Sequence, residues 1–452
     1  MATTVVPKQH VLAIISVALL AAGGIMIETA MNVTFPKLTQ VFHTSLNNIQ
    51  WVTTAYLLAV TVTMTTSAYL TNRFGARRIW LTANLLFIGG TICAGFANSL
   101  AILLLGRVLE GIAAGLAMPL MFNLVLSLIP KPKIGVWMGI GAMVISLAPS
   151  FGPTYGGALI ETLGWRAIFF TLLVIPIASL LLGWHNIAHV AKQNKHLSFD
   201  FIAFSLLAIA LITGLLVVNQ LETGRLNILF LILAIISVTA FIYKSQHSQK
   251  VFLNIRLFKS QTFTLLLIPV TFYMFANLGL SLLIPNYLQA SAGTTSFLAG
   301  FALLPGTLFG AFLSPYFGSL YDKVGATKLI FLGNGIFTIS LLGMALLTHR
   351  LGFILILISY IIFTIGRSMA FSTGMTAAVD QLPIAQQNDA NAILQASQMF
   401  MGALGTTVAA LFGSNRGGIA IGLNQFLWLL FAIALLLFLL FWLQKHLAEA
   451  TK

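Results

Sequence analysis

Two acidic residues, Glu28 and Glu110, lie well inside long apolar stretches of the sequence, and Arg107 stands three residues before the second of them. Charged side chains are expensive within hydrocarbon, so acids in such positions indicate a functional site. A carboxylate can take up and release a proton, and a nearby guanidinium or bound cation favours its ionised form. The three residues therefore predict a proton-coupling site, at which a proton and a cationic cargo compete for one acid.

The depths of these residues agree with a shared site. At 1.5 Å per helical residue, Glu28 lies roughly 25 Å along a segment that begins near residue 11, and Arg107 lies roughly 9 Å into one that begins near residue 101. Because the two segments cross in opposite directions, both side chains fall in the same half of the membrane. Two structural alternatives stay open: a packing hydrogen bond from Glu28, and a static ion pair between Arg107 and Glu110.

The composition identifies the solvent around these segments as lipid. The chain has 452 residues, of which 59% are hydrophobic and only 7% are charged. Soluble proteins carry roughly 25% charged residues, so most of this chain must lie in a membrane. Fourteen apolar runs are long enough to cross a bilayer as helices. They cover residues 11–32, 49–70, 79–97, 101–128, 134–160, 166–187, 200–219, 226–243, 262–288, 297–321, 328–347, 352–378, 390–414 and 422–443.

The basic residues orient these runs rather than bind nucleic acid. The net charge is +14, but most of the 23 Lys and Arg residues fall in alternate segments between the apolar runs. Cytoplasmic loops of membrane proteins carry this excess, so both termini are predicted to lie in the cytoplasm of a cell-membrane protein. No nucleic-acid partner is expected, because the charges do not form one soluble face.

An internal repeat follows the second and the tenth runs. Each copy has a Leu, then Asn or Asp, a basic residue and a Gly. In the first copy these are Leu70, Asn72, Arg73 and Gly75, followed by Arg77; in the second they are Leu320, Asp322, Lys323 and Gly325. Matching the copies equates runs 1–6 with runs 9–14 and leaves runs 7 and 8 as an inserted pair. Two similar halves around a central cavity are typical of secondary transporters.

This loop resembles the signature G-x-L-a-D-r-x-G-r-r of the major facilitator superfamily, and the whole chain is similar to its fourteen-span drug:proton antiporter branch. The resemblance implies an all-α membrane protein with two six-helix bundles and two inserted central helices. The corresponding units are residues 1–190, the inserted pair and its linkers 191–260, and residues 261–452. Asp322, with Lys323 and Lys328 nearby, can form charge contacts that hold the cytoplasmic side closed in one state; the alternative is that the loop only sets the topology. Asn72 stands at the equivalent position and carries no charge, so a latch there is expected to be weaker.

Three more segments carry the resemblance. Glu28 to Pro36 is similar to the family's first-span motif, and Arg107 to Gly111 is similar to R-x-x-q-G. The fifth run contains a Gly-Pro-rich element like the antiporter motif of drug exporters, which implies a tight seam between the two halves. Its residues are Gly152, Pro153, Gly156 and Gly157.

The resemblance implies export of lipophilic, often cationic, drugs or dyes in exchange for protons. Protons are the coupling ion, and no other cofactor, metal or catalytic residue is expected. The partners are these small molecules and membrane lipid, and the chain is expected to function as a monomer. An antiporter of Na⁺ or K⁺ for protons is the alternative, because the two acids could bind a small cation. An intramembrane enzyme would need a nucleophile–base pair or metal cluster, and none is evident in the sequence.

The predicted substrate cavity has a flexible apolar wall with few polar anchors, which suits many lipophilic ligands. Its candidate lining residues are Asn32, Tyr56, Met118, Phe122, Tyr273, Tyr287, Gln395 and Gln398. The twelfth run also contains a base, Arg367, without an evident acidic partner. Asp380, Asp389 and backbone carbonyls are all possible partners, and the sequence does not choose between them.

Overall fold

The protein is described from a computed structural model, which covers residues 6–130, 134–187, 199–220, 227–247, 255–348, 352–414 and 417–450. These residues form helices, turns and connecting loops, with no strand in the described ranges. The all-α prediction is therefore confirmed.

The first half of the chain forms eight helices: α1 (Lys8–Asn32), α2 (Phe35–Val41), α3 (Leu46–Phe74), α4 (Ala76–Gly95), α5 (Leu100–Leu128), α6 (Ile134–Thr162), α7 (Arg166–Leu172) and α8 (Val174–Asn186). Two helices follow, α9 (Phe201–Gln220) and α10 (Ile228–His247), and then a short 3₁₀ helix, Ile255–Lys259. The last part forms α11 (Gln261–Ser291), α12 (Ser296–Phe301), α13 (Leu304–Val324), α14 (Ala326–Leu346), α15 (Phe353–Asp380), α16 (Ile384–Gly413) and α17 (Ile419–Ala450).

Eleven helical segments of the described residues are long and apolar enough to cross a membrane. Three other long helices, α3, α6 and α16, pack among them. The chain is thus a multi-pass membrane protein, while the count of fourteen spans stays a prediction.

Two predicted runs differ from the structure, because each is divided into two helices. The run 166–187 divides between α7 and α8, close to Pro176, and the run 297–321 divides between α12 and α13, close to Pro305. A proline has no N–H to donate to the preceding turn, which favours a break at both places.

The glycines of the repeated loop have one conformation in common. Gly75 joins α3 to α4 with φ 83° and ψ 152°, and Gly325 joins α13 to α14 with φ 83° and ψ 161°. Essentially only glycine adopts this combination of φ and ψ, because a Cβ atom would clash with the backbone. The repeat in sequence therefore reflects the same tight helix–helix junction, built twice.

The helix contacts repeat in the same way. In the first half α1 packs on α5, α6 and α8, and in the second half α11 packs on α15, α16 and α17. The halves meet where α3 packs on α16 and where α6 packs on α12 and α13. Helices α9 and α10 pack on each other, and α9 also contacts α3 and α16. The exact unit boundaries, at residues 190 and 260, stay a prediction.

Candidate functional site

Glu28 lies on α1 with only 3% of its surface exposed, next to α5 and α6. Its Oε1 atom is buried and has no hydrogen-bond partner among the described residues. The carboxyl group lies close enough to the Arg107 guanidinium for the two to interact electrostatically. Buried polar atoms are nearly always hydrogen-bonded, so an unpartnered carboxylate oxygen marks a place where a proton, water or ligand is expected.

Arg107 lies on α5, is completely buried, and is held on three sides. Its Nε donates to the carbonyl oxygen of Val52 at 3.1 Å, and its Nη1 donates to Oε2 of Glu110 at 2.5 Å. The guanidinium carbon lies 4.4 Å from the centre of the Tyr56 ring. These contacts fix the positive charge between α3 and α5, where it faces Glu28.

Glu110 differs from Glu28 because both of its oxygens have partners. Thr91 donates to Oε1 at 2.9 Å, and Arg107 binds Oε2. An ion pair and a hydrogen bond therefore fix the orientation of this carboxylate. The geometry thus places Glu110 as a fixed counter-charge for Arg107 and leaves Glu28 as the acid with an unoccupied oxygen.

Three polar atoms around this site have no hydrogen-bond partner within the described ranges: Glu28 Oε1, Tyr56 Oη and Arg107 Nη2. They belong to three different helices, α1, α3 and α5. Tyr56 Oη lies 3.0 Å from the position that a Cβ atom on Gly24 would take, one helical turn before Glu28. We call Glu28, Tyr56, Arg107 and Glu110 the charged cluster. Its unpartnered atoms include both donors and acceptors, so it can hold a proton or a polar group of a ligand.

Glycines allow the helices of the charged cluster to approach closely. A methyl group on Gly90 of α4 would lie 2.8 Å from the carbonyl oxygen of Gly106 and 2.9 Å from Cγ of Glu110. A methyl group on Gly111 would lie 2.5 Å from the carbonyl oxygen of Tyr56. Small residues are typical of helix crossings in membranes, and here they bring the charged side chains together.

We expect Gly90→Ala to destabilise the protein, because its new methyl group overlaps the α5 backbone and the Glu110 side chain. Overpacking of this kind costs about 1–3 kcal/mol. The matched control is Gly89→Ala, since a Cβ atom there meets nothing within 4 Å. The measurement is the melting temperature of the purified chain in detergent. Equal melting temperatures for the two variants would show that the α4–α5 approach is not tight.

The Gly-Pro element of α6 lies between the two halves. A side chain on Gly152 would overlap Thr29 of α1, and one on Gly157 would overlap Ser296 at the start of α12. In return, a side chain on Gly300 of α12 would overlap the carbonyl oxygen of Pro153. Gly156 packs against the α1 backbone at Ala30 in the same way. The element predicted as a seam therefore contacts α1 with one face and the second half with the other.

Five hydrogen bonds join the halves at the end of the bundle where α1 finishes. Asn32 Nδ2 donates to Ser281 Oγ at 3.2 Å, and Asn286 Nδ2 donates to the Asn32 carbonyl at 3.3 Å. Phe297 N donates to Glu161 Oε1 at 2.7 Å. The other two pairs are Gln289 Nε2 with the Val33 carbonyl, at 3.4 Å, and Thr54 with Thr407, also at 3.4 Å. We call this the sealed end.

Asn32 is predicted to bind substrate, but its side-chain oxygen and nitrogen both form hydrogen bonds within the protein. Its Oδ1 accepts from Thr53 at 3.0 Å while its Nδ2 binds Ser281, so one side chain ties α1 to α3 and to α11. It also lies one turn beyond Glu28 on the same face of α1. Movement of α1 at Glu28 would therefore act directly on the sealed end.

We expect Asn32→Leu to open the sealed end more often. Of the two side-chain bonds of Asn32, the one to Ser281 joins the halves. Interhelical hydrogen bonds in membranes contribute roughly 0.6 kcal/mol each, so losing this bond shifts the equilibrium by roughly threefold. The readout is thiol labelling of Thr407→Cys in a Cys93→Ser background, because Thr407 is buried at the contact with α3. Asn48→Leu, an exposed position on α3, is the control. If Asn32→Leu leaves the labelling rate of residue 407 unchanged, the hydrogen bonds of Asn32 do not hold the sealed end closed.

The other predicted cavity residues divide into two groups. Tyr56 belongs to the charged cluster, and Met118 and Phe122 lie farther along α5, with Phe122 packed near Gly141 of α6. Tyr273 and Tyr287 instead direct their hydroxyls into the second half, to Asn334 at 2.9 Å and to the Thr348 carbonyl at 3.2 Å. Of the predicted cavity residues named here, the structure therefore places Tyr56 in the charged cluster. Met118 and Phe122 lie roughly 17 and 22 Å farther along α5 than Arg107. The hydroxyls of Tyr273 and Tyr287 are directed into the second half.

The remaining predicted residues lie on α16 and in the repeated loop. Gln398 is buried and its Nε2 lies 3.8 Å from the sulfur of Met375, while Gln395 is half-buried. The guanidinium of Arg77 lies 5.8 Å from the Trp184 ring, and Arg73 is half-buried at the end of α3. The side chains of Asn72 and Asp322 lie outside those that the structure describes, so the charge latch stays a prediction.

Two partners of the cluster were not predicted. Thr91 binds Glu110 and the Val52 carbonyl binds Arg107, each from a neighbouring helix. Threonines and carbonyls are common in every span, so the sequence holds no signal that singles these out. Only the helix packing shows which of them face the charged pair.

The profile of the Major Facilitator Superfamily matches residues 16–406, and again residues 267–451, of the chain. The chain is 31% identical over 390 residues to the lincomycin resistance protein LmrB of Listeria monocytogenes, covering 85% of this chain and 83% of that protein. It is 32% identical over 410 residues to the lincomycin resistance protein LmrB of Bacillus subtilis, covering 89% and 85%. Among solved structures, a POT family transporter in complex with 5-aminolevulinic acid aligns with a TM-score of 0.74 at 17% identity, covering 97% of this chain and 96% of that one.

Proposed function

Because the chain belongs to the major facilitator superfamily, whose members transport solutes rather than catalyse reactions, we propose that it exports lipophilic, often cationic, drugs or dyes in exchange for protons. The relatives named as lincomycin resistance proteins support export of toxic compounds. The observation on which the proposal rests is the buried, unpartnered carboxylate oxygen of Glu28 beside Arg107.

Exchange at Glu28 balances charge in each direction. Protonated Glu28 is neutral and needs no counter-ion in its apolar surroundings. When a cationic cargo arrives, Glu28 gives up its proton and its carboxylate pairs with the cargo, so the net charge of the site does not change. When the cargo leaves, an incoming proton restores the neutral acid. Cargo and proton thus alternate on one carboxylate, which is the condition for antiport.

The other members of the charged cluster support this exchange. The Arg107 guanidinium, held by Glu110 and Val52, keeps a positive charge beside Glu28 when the cargo is absent. It stabilises the carboxylate during the interval between release of one partner and arrival of the other. Tyr56 Oη and Arg107 Nη2 are free to hydrogen-bond that carboxylate or a polar group of the cargo.

The contacts between the halves support alternating access as the transport mechanism. With both termini in the cytoplasm, as the distribution of Lys and Arg predicts, the sealed end faces outward, and in this proposal the described state is closed toward the exterior. Outward opening requires that the bonds of Asn32 and the α6–α12 contact separate. In this proposal the protein acts as a monomer in the cell membrane, with both termini in the cytoplasm and no cofactor besides the proton.

Transport in proteoliposomes tests the proposal. The purified chain is reconstituted, a pH gradient is imposed, and accumulation of a lipophilic cationic dye and of lincomycin is followed. We expect accumulation that depends on the gradient, is abolished by a protonophore and needs no ATP. Accumulation that requires ATP, or that is indifferent to the gradient, would contradict proton exchange.

Exchange of Na⁺ or K⁺ for protons is the second candidate, because Glu28 Oε1 and Tyr56 Oη are oxygen atoms without partners. A bare alkali ion needs several oxygen ligands, whereas this cluster offers few and adds the positive charge of Arg107. The same vesicles distinguish the candidates: a gradient collapsed by Na⁺ or K⁺ without dye would favour the ion antiporter.

A further inference from the structure

Arg367 lies near the middle of α15, 14 residues after its first residue, or roughly 20 Å along the helix. No acidic side chain in the described ranges forms an ion pair with it, and its Nε is buried without a hydrogen-bond partner. Asp380 and Asp389, the partners that the sequence suggests, do not fill this role. Within the described ranges, the guanidinium has an aromatic contact with the Phe371 ring, whose centre is 5.9 Å from the guanidinium carbon.

The contrast with Arg107 shows that this arrangement is unusual. Arg107 has a carboxylate, a carbonyl and an aromatic ring around its guanidinium. An unpaired positive charge within a span is expensive and is retained where it faces a water-filled cavity or binds something. In the part of the chain that the structure describes, Arg367 has no carboxylate or carbonyl partner of the kind that fixes Arg107.

Arg367 faces the interior of the bundle rather than lipid. Residues seven positions away on either side share its helix face. On that face, Tyr360 donates to Asn277 of α11 at 3.5 Å, and a Cβ atom on Gly374 would lie 3.1 Å from Val270 of α11. Tyr360 and Gly374 are buried, whereas Arg367 between them is partly accessible. A partly accessible base on an inward face indicates that its end groups reach an internal space.

Arg367 is also placed differently from Arg107 along the repeat. Arg107 is seven residues from the start of α5, and Arg367 is 14 residues from the start of α15. The second base therefore lies roughly 10 Å deeper, measured from the sealed end. The interior of the bundle thus has an acid on the first half, Glu28, and a base at a different depth on the second.

We propose that Arg367 is an anion-binding subsite that receives the carboxylate or sulfonate of amphoteric lipophilic substrates while Glu28 receives their cationic group. This inference rests on the proposed function and extends its substrate class from cations to zwitterions. The planar guanidinium suits the task, because its donors bind both oxygens of a carboxylate at once.

Binding of two matched dyes tests the subsite. Rhodamine 6G is an ester with a delocalised cation, and rhodamine 19 is the corresponding free acid, so they differ at one carboxyl group. Fluorescence anisotropy with the purified full chain gives both affinities. Arg367→Gln should weaken rhodamine 19 by about tenfold or more, the usual effect of losing a hydrogen-bonded charge partner, and leave rhodamine 6G nearly unchanged.

Two variants control this result. Arg367→Lys keeps the charge without the two-pronged geometry, so it should recover part of the rhodamine 19 affinity. Arg78→Gln removes an exposed base outside the site and should change neither dye. Equal weakening of both dyes by Arg367→Gln, or no weakening of rhodamine 19, would overturn the subsite. Binding of rhodamine 6G but not rhodamine 19 to the unaltered chain would overturn it as well.

A second measurement does not depend on the dyes, so it separates failure of the subsite from failure of the proposed function. In a Cys93→Ser background, Arg367→Cys should react with a sulfonate-bearing methanethiosulfonate reagent in open membranes. Ile358→Cys, on the opposite face of α15 where Ile358 is 49% exposed, should not react. If Arg367→Cys reacts with the reagent no faster than Ile358→Cys, residue 367 does not face water, and the inference is overturned. If neither dye binds but Arg367→Cys reacts, the drug-export proposal fails while the accessible base remains.

Discussion

Replacing Glu28 with glutamine is expected to reduce gradient-driven dye accumulation in proteoliposomes to the level of protein-free vesicles. Glutamine has nearly the shape of glutamic acid but cannot release a proton, so the exchange of proton for cargo has no carrier. Downhill movement of dye, which needs no proton, should be affected less than uphill accumulation. Initial rates of both processes, measured in the same vesicle preparation, give the comparison.

The control is Glu161→Gln, the same chemical change at an exposed acid. The amide oxygen of glutamine can still accept the hydrogen bond that Phe297 N donates to Glu161, so the sealed end should persist. Normal uphill accumulation by Glu28→Gln would show that another group carries the proton. Equal loss in both variants would show that the effect is not specific to the buried site.

Replacing Arg107 with methionine is expected to destabilise the protein by about 3–5 kcal/mol, because Glu110 remains buried without its counter-charge. The double variant Arg107→Met with Glu110→Met removes both charges and should recover most of this stability. Melting temperatures of the single and double variants in detergent measure the two effects.

Dye accumulation measured with the same single and double variants shows whether Arg107 is needed for transport as well as for stability. If Arg107 supports proton exchange at Glu28, the double variant should be stable but still defective in uphill accumulation. A stable double variant that transports normally would make Arg107 and Glu110 a purely structural pair. A double variant less stable than the single one would contradict the compensation between the two charges.

Much of the helical layout could be predicted from the sequence. Apolar runs in lipid leave helix as the available structure, and predicted runs such as 101–128 lie within a few residues of the observed helix α5. The breaks near Pro176 and Pro305 were missed. A proline alone does not show where a helix ends, because Pro119 of α5 and Pro269 of α11 lie inside unbroken helices. The repeated glycine loop was a stronger signal, since the backbone at Gly75 and Gly325 admits no other residue.

The charged residues of the candidate site could be predicted from the sequence, whereas the residues that contact them could not. Glu28, Arg107 and Glu110 stand out because charges are rare in apolar runs, and the structure places them together. Asn32 has the motif and the position of a substrate ligand, but its side chain is used at the sealed end. Spacing along a helix shows which residues share a face, whereas partners on other helices depend on packing that the sequence does not specify.

Proton release on cargo binding tests most directly whether proton and cargo compete for Glu28. Rhodamine 6G is added to the purified chain in weakly buffered detergent solution, and the pH change is followed with an indicator dye. The account predicts proton release by the unaltered chain and none by Glu28→Gln, at dye concentrations high enough for that variant, which lacks the carboxylate, to bind the dye. Undiminished release by Glu28→Gln, or dye binding to the unaltered chain without any release, would contradict it.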